Sequence, residues 1–213
     1  MLRVLFFLTT LALAPAHAAV IDRIAVTLDS QVITESEIML EIRLTAFVNG
    51  EPVSATPQAR KEAANRLIEQ KLIRREIDLG RYAQPSPGEE EPMLKQIQTQ
   101  RFHSLDDYRR ALEKYGVDEA QLRAHLLWQL TLLRFIEVRF RPAVEVTDEE
   151  VQQYFAQHLP ELEKRAGKPV SIETARSEIQ DALTEQLVDK QLNDWLAEQR
   201  GRTHIAFHPE AFQ

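Results

Sequence analysis

Between residues 20 and 38 the apolar positions first follow the two-residue repeat of a strand and then the spacing of a helix. β-prone runs flank a polar pair, with Ile21, Ile24, Val26 and Leu28 before Asp29-Ser30 and with Val32 and Ile33 after it. Such residues on both sides of a polar turn pair are typical of a hairpin. Thr34-Glu35-Ser36-Glu37 has the spacing of a capping box, in which Thr34 and Glu37 each bind the other's backbone amide. The sequence therefore predicts a strand pair that passes directly into a helix.

Apolar residues at helical spacing predict about seven helices in this chain. The segment between Asp118 and Pro142 is apolar on nearly every face, which is typical of a helix buried between neighbours. A second capping box, Thr147-Asp148-Glu149-Glu150, predicts a helix that ends near Pro160, followed by a polar connection over residues 161–169. The run Glu89-Glu90-Glu91 is expected to supply solvated acids to the first turn of another helix.

The last part of the chain predicts a long helix and a terminal strand. The helix begins at Ser171 and ends at Gly201, and the alternation around Ile205 and Phe207 is that of a strand. An isolated hairpin is marginal in water and gains from a third strand, which this segment can supply. The predicted fold is mostly α, with a small β-sheet formed by the N-terminal hairpin and the C-terminal strand.

The first eighteen residues have the pattern of a cleavable secretion signal. Arg3 gives a positive start, residues 4–14 are apolar but too few to span a bilayer, and Ala16-His17-Ala18 supplies small residues before a cut at Ala19. We therefore expect residues 1–18 to be a signal peptide, residues 19–213 to form one domain, and the protein to be secreted.

Composition and charge exclude several classes of function. The formal net charge is −7, whereas phosphate binding needs an excess of Lys and Arg, so nucleic acid is not an expected partner. The chain has no Cys, which removes disulfides, thiolate metal sites and thiol nucleophiles. Its core must therefore supply its stability alone.

The sequence offers no pattern of residues for catalysis, a metal or a cofactor. No Ser lies in a Gly-x-Ser-x-Gly elbow and no P-loop is present. His204 and His208 are four residues apart, but in a strand this separation is about 13 Å, too far for one metal ion. We expect no catalytic, metal-binding or cofactor-binding residues.

Five Met and aromatic residues are candidates for binding another polypeptide: Met39, Met93, Phe102, Tyr108 and Tyr115. Such side chains adapt to varied apolar partners. The alternative is that all five are core residues, because amphipathic helices bury such side chains by default.

Several segments resemble, in the same order, the SurA family of periplasmic chaperones for outer-membrane proteins. Residues 20–38, VIDRIAVTLDSQVITESEI, resemble the mature N-terminus of that family, and residues 193–200, NDWLAEQR, followed by the strand near Phe207, resemble its C-terminal end. Residues 67–73, LIEQKLI, and residues 147–151, TDEEV, resemble helices of its core. The resemblance covers about Ala19 to Phe207. It implies that residues 19–158 form a helical core that residues 170–208 complete.

One departure from the family bears on activity. The family carries parvulin-type prolyl isomerase modules between the Glu-Glu-Val helix and the last long helix, where this chain has about a dozen residues. A domain needs about fifty or more. The expected protein is thus a SurA-like chaperone core without an isomerase module, and not an enzyme.

The resemblance implies a periplasmic, ATP-independent holdase whose partners are unfolded secreted or outer-membrane polypeptides. Two alternatives remain: a dedicated assembly factor for one secreted partner, and a prolyl isomerase, which the missing module disfavours. We do not expect nucleic acid as a partner, and we expect no integral membrane segment after signal cleavage.

Overall fold

The computed structural model describes residues 22–213, so the predicted signal peptide and Ile21 lie outside the described residues. Three antiparallel strands form one sheet in the order β2-β1-β3: β1 is Ile24–Leu28, β2 is Gln31–Thr34 and β3 is Ile205–Phe207. The two chain ends thus share one sheet, as the sequence predicts. Asp29 turns the hairpin with a φ of 47°, and its carboxylate accepts a hydrogen bond from the His204 amide at 2.9 Å.

Seven α-helices account for most of the described residues, which confirms the mostly α fold class. They are α1 (Glu35–Asn49), α2 (Pro57–Gly80), α3 (Glu91–Arg101), α4 (Leu105–Tyr115), α5 (Glu119–Arg139), α6 (Asp148–Ala166) and α7 (Ile172–Arg202). Short 3-10 turns follow α5 at Arg141–Ala143 and β3 at Pro209–Phe212. None of the helices within residues 22–213 has the length and apolarity needed to cross a membrane.

The predicted capping boxes are present at the starts of α1 and α6. The Glu37 amide donates to the Thr34 hydroxyl at 3.3 Å, while the Thr34 amide donates to the Glu37 carboxylate at 2.8 Å. Thr147 and Glu150 repeat this exchange before α6, and Asp118 and Gln121 do so before α5. These starts depend on residues within one turn, which explains why the sequence alone predicts them.

Helix α6 does not end at Pro160 but continues to Ala166, so the predicted end of this helix is wrong. Proline removes one helical hydrogen bond, yet the apolar stripe beyond it still has a partner to pack on. Leu162, two residues past the proline, is 3 % exposed and joins Val151 and Ile179 in one cluster. Gly167, with a φ of 66°, ends the helix instead.

The predicted solvated acids near α3 are bound to arginines of α5. Arg123 contacts Glu90 at 3.2 Å and Glu91 at 2.5 Å, and Arg134 contacts Glu89. Glu90 is also buried. Glu89 and Glu91 are exposed as predicted, whereas Glu90 is not solvated, because α5 packs Arg123 against it.

Buried side chains form four clusters that divide the described chain into a body and an arm. The first cluster lies between the sheet and helices α1 and α2, the second between α1, α3, α4 and the start of α5, and the third between the ends of α2, α5 and α7. The fourth belongs to α6 and the first half of α7. These two helices pack on each other as an arm, residues 148–183. Arg141 connects α5 to α7 near this arm, by contacts of 2.6 Å with Glu137 and Glu185.

Candidate functional site

The structure brings together four of the five residues predicted to bind a polypeptide. Met93, Phe102, Tyr108 and Tyr115 all belong to the second cluster, around Phe47. The Phe47 ring lies 6.0 Å from that of Phe102 and 5.4 Å from that of Tyr115. Met39 is elsewhere, packed on the first cluster beneath the sheet.

The degree of burial separates these four residues. Tyr108 is 1 % exposed, and burial raises the pKa of its hydroxyl. Phe102 and Tyr115 are half-buried, and Tyr115 donates a hydrogen bond to the Glu51 carbonyl at 2.9 Å. Met93, also half-buried, lines a surface hollow of about 280 Å³ with Val48 and Ile97. Met93 is therefore accessible through this hollow, whereas Tyr108 belongs to the core.

A larger cleft, of about 320 Å³, opens between α1, α2, α5 and α7. Its apolar side chains come from all four helices: Val48, Ile73, Trp128, Leu132, Leu192 and Leu196. Its polar side chains are Glu41, Thr45, Asn49, Arg66, Glu69, Gln70, His125 and Gln129. We call this site the four-helix cleft.

Trp128 and Leu132 supply the α5 side of the four-helix cleft. They are four residues apart and therefore share one face of the helix. The Arg74 guanidinium of α2 lies 4.4 Å from the centroid of the Trp128 ring. This cation–π contact holds the indole between α5 and α2. A large ring is thus fixed with one part packed on the third cluster and another facing the cleft.

One wall of the four-helix cleft is a charged and hydrogen-bonded group. Arg66 of α2 lies 3.0 Å from the Glu41 carboxylate of α1, and Thr45 donates to the same carboxylate at 3.3 Å. His125 of α5 lies 3.8 Å from Glu41 and 3.1 Å from the Gln129 amide. Burial lowers the pKa of His125, with Arg66 acting in the same direction and Glu41 opposing both. Burial therefore favours the neutral form of His125, and the Glu41 carboxylate of this wall is paired with Arg66.

The cleft has the features of a binding site. Apolar side chains form its floor, and the side-chain amides of Asn49, Gln70 and Gln129 can donate to and accept from a peptide backbone. Within the part of the chain that the structure describes, no three His, Asp or Glu side chains are grouped to hold a metal ion. The arrangement can bind an apolar side chain together with the backbone on either side of it.

Sequence reasoning missed this cleft. The segment between Asp118 and Pro142, which includes Trp128, is predicted to be buried between neighbours because it is apolar on nearly every face. The available signal was that Trp128 and Leu132 lie on a different face of α5 from the buried pair Leu122 and Leu126. That signal shows a second apolar face, but it does not show that the neighbouring helices leave a gap there.

Comparison with known proteins confirms the resemblance predicted from the sequence. No family model matches the chain. The chain is similar to the protein named Chaperone SurA of Alkalilimnicola ehrlichii, with 24 % identity over 192 residues, which are 83 % of this chain and 44 % of that protein. It is also similar to Chaperone SurA of Methylobacillus flagellatus, with 27 % identity over 154 residues, 70 % of this chain and 35 % of that protein. The chain spans less than half the length of either relative, so its similarity is to part of SurA.

Proposed function

We propose that this protein is a periplasmic, ATP-independent holdase that binds unfolded secreted or outer-membrane polypeptides in the four-helix cleft. The observation that carries the proposal is the cleft's composition, in which six apolar side chains lie beside polar and charged ones that include three side-chain amides. Its similarity to two proteins named Chaperone SurA supports the same class of function. The secretion pattern of residues 1–18 supports the compartment.

The cleft's size favours short and reversible contacts. Its volume of about 320 Å³ is at the small end of the range for ligand pockets, roughly 300–1,000 Å³. It therefore takes about one large apolar side chain at a time. An unfolded segment that is held in this way also loses conformational entropy, so each site binds weakly and releases its client quickly.

The walls of the cleft are held in place before any client arrives. Arg66 with Glu41 joins α2 to α1, and Arg200 with Glu69 joins α7 to α2 at 2.8 Å. A preformed site spends little of its binding energy on ordering itself. This property also favours the second candidate function, a dedicated assembly factor that holds one secreted partner.

The five residues predicted from the sequence have different parts in this proposal. Met93 provides a second apolar contact in the neighbouring hollow, which shares Val48 and Gln129 with the four-helix cleft. Phe102 and Tyr115 offer their exposed edges to a client. Tyr108 supports them from the core, and Met39 lies apart beneath the sheet.

The function is tested by suppression of aggregation. The chain from Ala19 to Gln213 is mixed with several unfolded outer-membrane proteins, without nucleotide, and light scattering is followed. Suppression of several unrelated clients at near-stoichiometric ratios is the expected result. Suppression of one client alone supports the dedicated assembly factor, and no suppression by a chain shown to be folded by circular dichroism contradicts the holdase.

A further inference from the structure

Strand β3 is one edge of the sheet, and its outer backbone groups face away from β1. The Asp29 amide donates to the His204 carbonyl at 2.9 Å, and the His208 amide donates to the Ala25 carbonyl at 2.9 Å. Thr27 is paired with Ala206 between these bonds. Because neighbouring residues of a strand alternate in direction, the amide and carbonyl groups of Ile205 and Phe207 point away from the sheet. They can pair with one more extended chain.

A hollow of about 480 Å³ lies beside this edge. Three of its lining residues, Pro57, Lys61 and Asn65, are one turn apart on α2, and the other three, Phe207, Pro209 and Phe212, come from β3 and the turn after it. Phe207 is paired with Val26, which is fully buried, so the two side chains share the inner face of the sheet. Phe207 itself is 43 % exposed. The inner face of the sheet therefore continues past β3 into an apolar hollow over α2.

Lys61 is the charged residue of this hollow. It is exposed, and no carboxylate of residues 22–213 lies within 4.0 Å of its amine in the structure. An occupant that carries a negative charge at this point would pair with it. Successive side chains on one face of a strand are two positions apart, about 6.6 Å. This spacing is close to the rise of about 6 Å from Pro57 to Lys61 along α2.

We propose that this edge binds an extended polypeptide segment as a fourth strand. The segment pairs with Ile205 and Phe207, places an apolar side chain in the hollow, and directs a carboxylate two residues away toward Lys61. This edge site shares no lining residue with the four-helix cleft. It is therefore a second place of contact with a polypeptide, beyond the proposed function of the cleft.

The first test exchanges charges between the protein and a peptide. The probe is a fluorescein-labelled peptide of alternating Thr and Val with a central Phe-Thr-Glu, and its matched control carries Lys in place of Glu. Fluorescence anisotropy should show that the wild-type chain prefers the Glu peptide and that Lys61→Glu prefers the Lys peptide. For a partly exposed ion pair, each change is expected to be about two- to fivefold in Kd. Equal affinities for both peptides in both proteins would overturn the proposal.

The second test examines the backbone pairing. Phe207→Pro removes an amide that points away from β1, while residues 204, 206 and 208 keep their bonds to that strand. Phe207→Val removes the ring but keeps the amide. Both variants lack the ring and only the proline variant also lacks the amide, so binding should fall further in the proline variant than in the valine variant; equal binding by the two, with folding of both checked by circular dichroism, would overturn the backbone pairing.

Hydrogen exchange then locates the peptide on the wild-type chain. The amides of Ile205 and Phe207 should exchange at least about tenfold more slowly when the peptide is bound. Slowing confined to helices of the four-helix cleft would overturn the edge site and leave the proposed function intact. A peptide that does not bind the wild-type chain would also overturn the edge site, whereas suppression of client aggregation would still support the cleft.

Discussion

The Arg200 guanidinium donates a hydrogen bond to the Glu69 carboxylate at 2.8 Å, which joins the end of α7 to the middle of α2 across 131 residues of sequence. The same guanidinium contacts the side-chain and backbone oxygens of Asn65, each at 3.3 Å. Arg200 therefore fixes the end of α7 against α2. This end of α7 lines the four-helix cleft and leads into the third strand.

We expect Arg200→Ala to lower the free energy of unfolding by about 1 kcal/mol. The change removes an ion pair that is partly exposed, together with two hydrogen bonds to α2. Arg202→Ala is the matched control, because Arg202 pairs with Glu198 of its own helix and is largely exposed. Urea unfolding followed by circular dichroism measures both variants. Equal loss in both would contradict the part given to Arg200.

Leu132→Gln should weaken suppression of client aggregation at least about fivefold. The substitution places an amide in the apolar floor of the four-helix cleft, which costs binding to an apolar side chain. Leu133→Gln is the control, since Leu133 is the next residue on α5, is 55 % exposed and does not line the cleft. Light scattering at a fixed client ratio compares two chains shown to have similar Tm values. If Leu133→Gln were as defective as Leu132→Gln, the cleft would not be the client site.

Stability should fall as the pH is lowered below about 6.5, the ordinary pKa of histidine, because of His125. Burial lowers the pKa of His125 in the folded chain, so the unfolded chain binds its proton first as the pH falls. The contribution is fully present above about pH 6.5 and is lost as the pH falls toward the lower folded pKa. The His125 ring faces Glu41, Arg66 and Gln129. The Glu41 carboxylate forms an ion pair with Arg66.

His125→Gln should remove most of this pH dependence, whereas His103→Gln should leave it unchanged because His103 is exposed. Urea midpoints at three pH values measure the effect. The carboxyl groups with lowered pKa values, such as Asp22 and Glu150, lose their contribution only below this window. An unchanged slope in His125→Gln would show that other groups cause the loss.

Two glycines should respond in opposite directions to alanine. Gly116 ends α4 with a φ of 66°, a conformation that costs an alanine about 1 kcal/mol. Gly201 lies within α7, and an added Cβ would meet no atom within 4 Å. Gly201→Ala should therefore raise stability by about 0.5 kcal/mol, through helix propensity and a less flexible unfolded chain. Thermal unfolding distinguishes the two, and a shift of Tm in the same direction for both would contradict this account.

Features that depend on a few neighbouring residues could be predicted from the sequence. The hairpin at Asp29, the capping boxes at Thr34 and Thr147 and the C-terminal strand all follow from local hydrogen bonding and side-chain alternation. The mostly α class and the third strand of the sheet follow from the same patterns, because an isolated hairpin is marginal in water and gains from a third strand beside it.

Local rules were insufficient where packing between distant elements decided the outcome. Pro160 predicts the end of a helix, yet burial of Leu162 against α7 outweighs the lost hydrogen bond. The run of acids at residues 89–91 predicts solvated side chains, yet Glu90 is buried beside Arg123 of α5.

The sequence by itself determined the helices, the strands and the apolar side chains that a polypeptide could contact. The tertiary structure decided which of these side chains remain accessible. Tyr108 became core and Trp128 became part of a cleft, although both are aromatic residues on apolar helix faces. The physical reason is that a cleft is a gap between helices that are remote in sequence. Its position depends on how α1, α2, α5 and α7 pack together, and no repeat within any one of them encodes that arrangement.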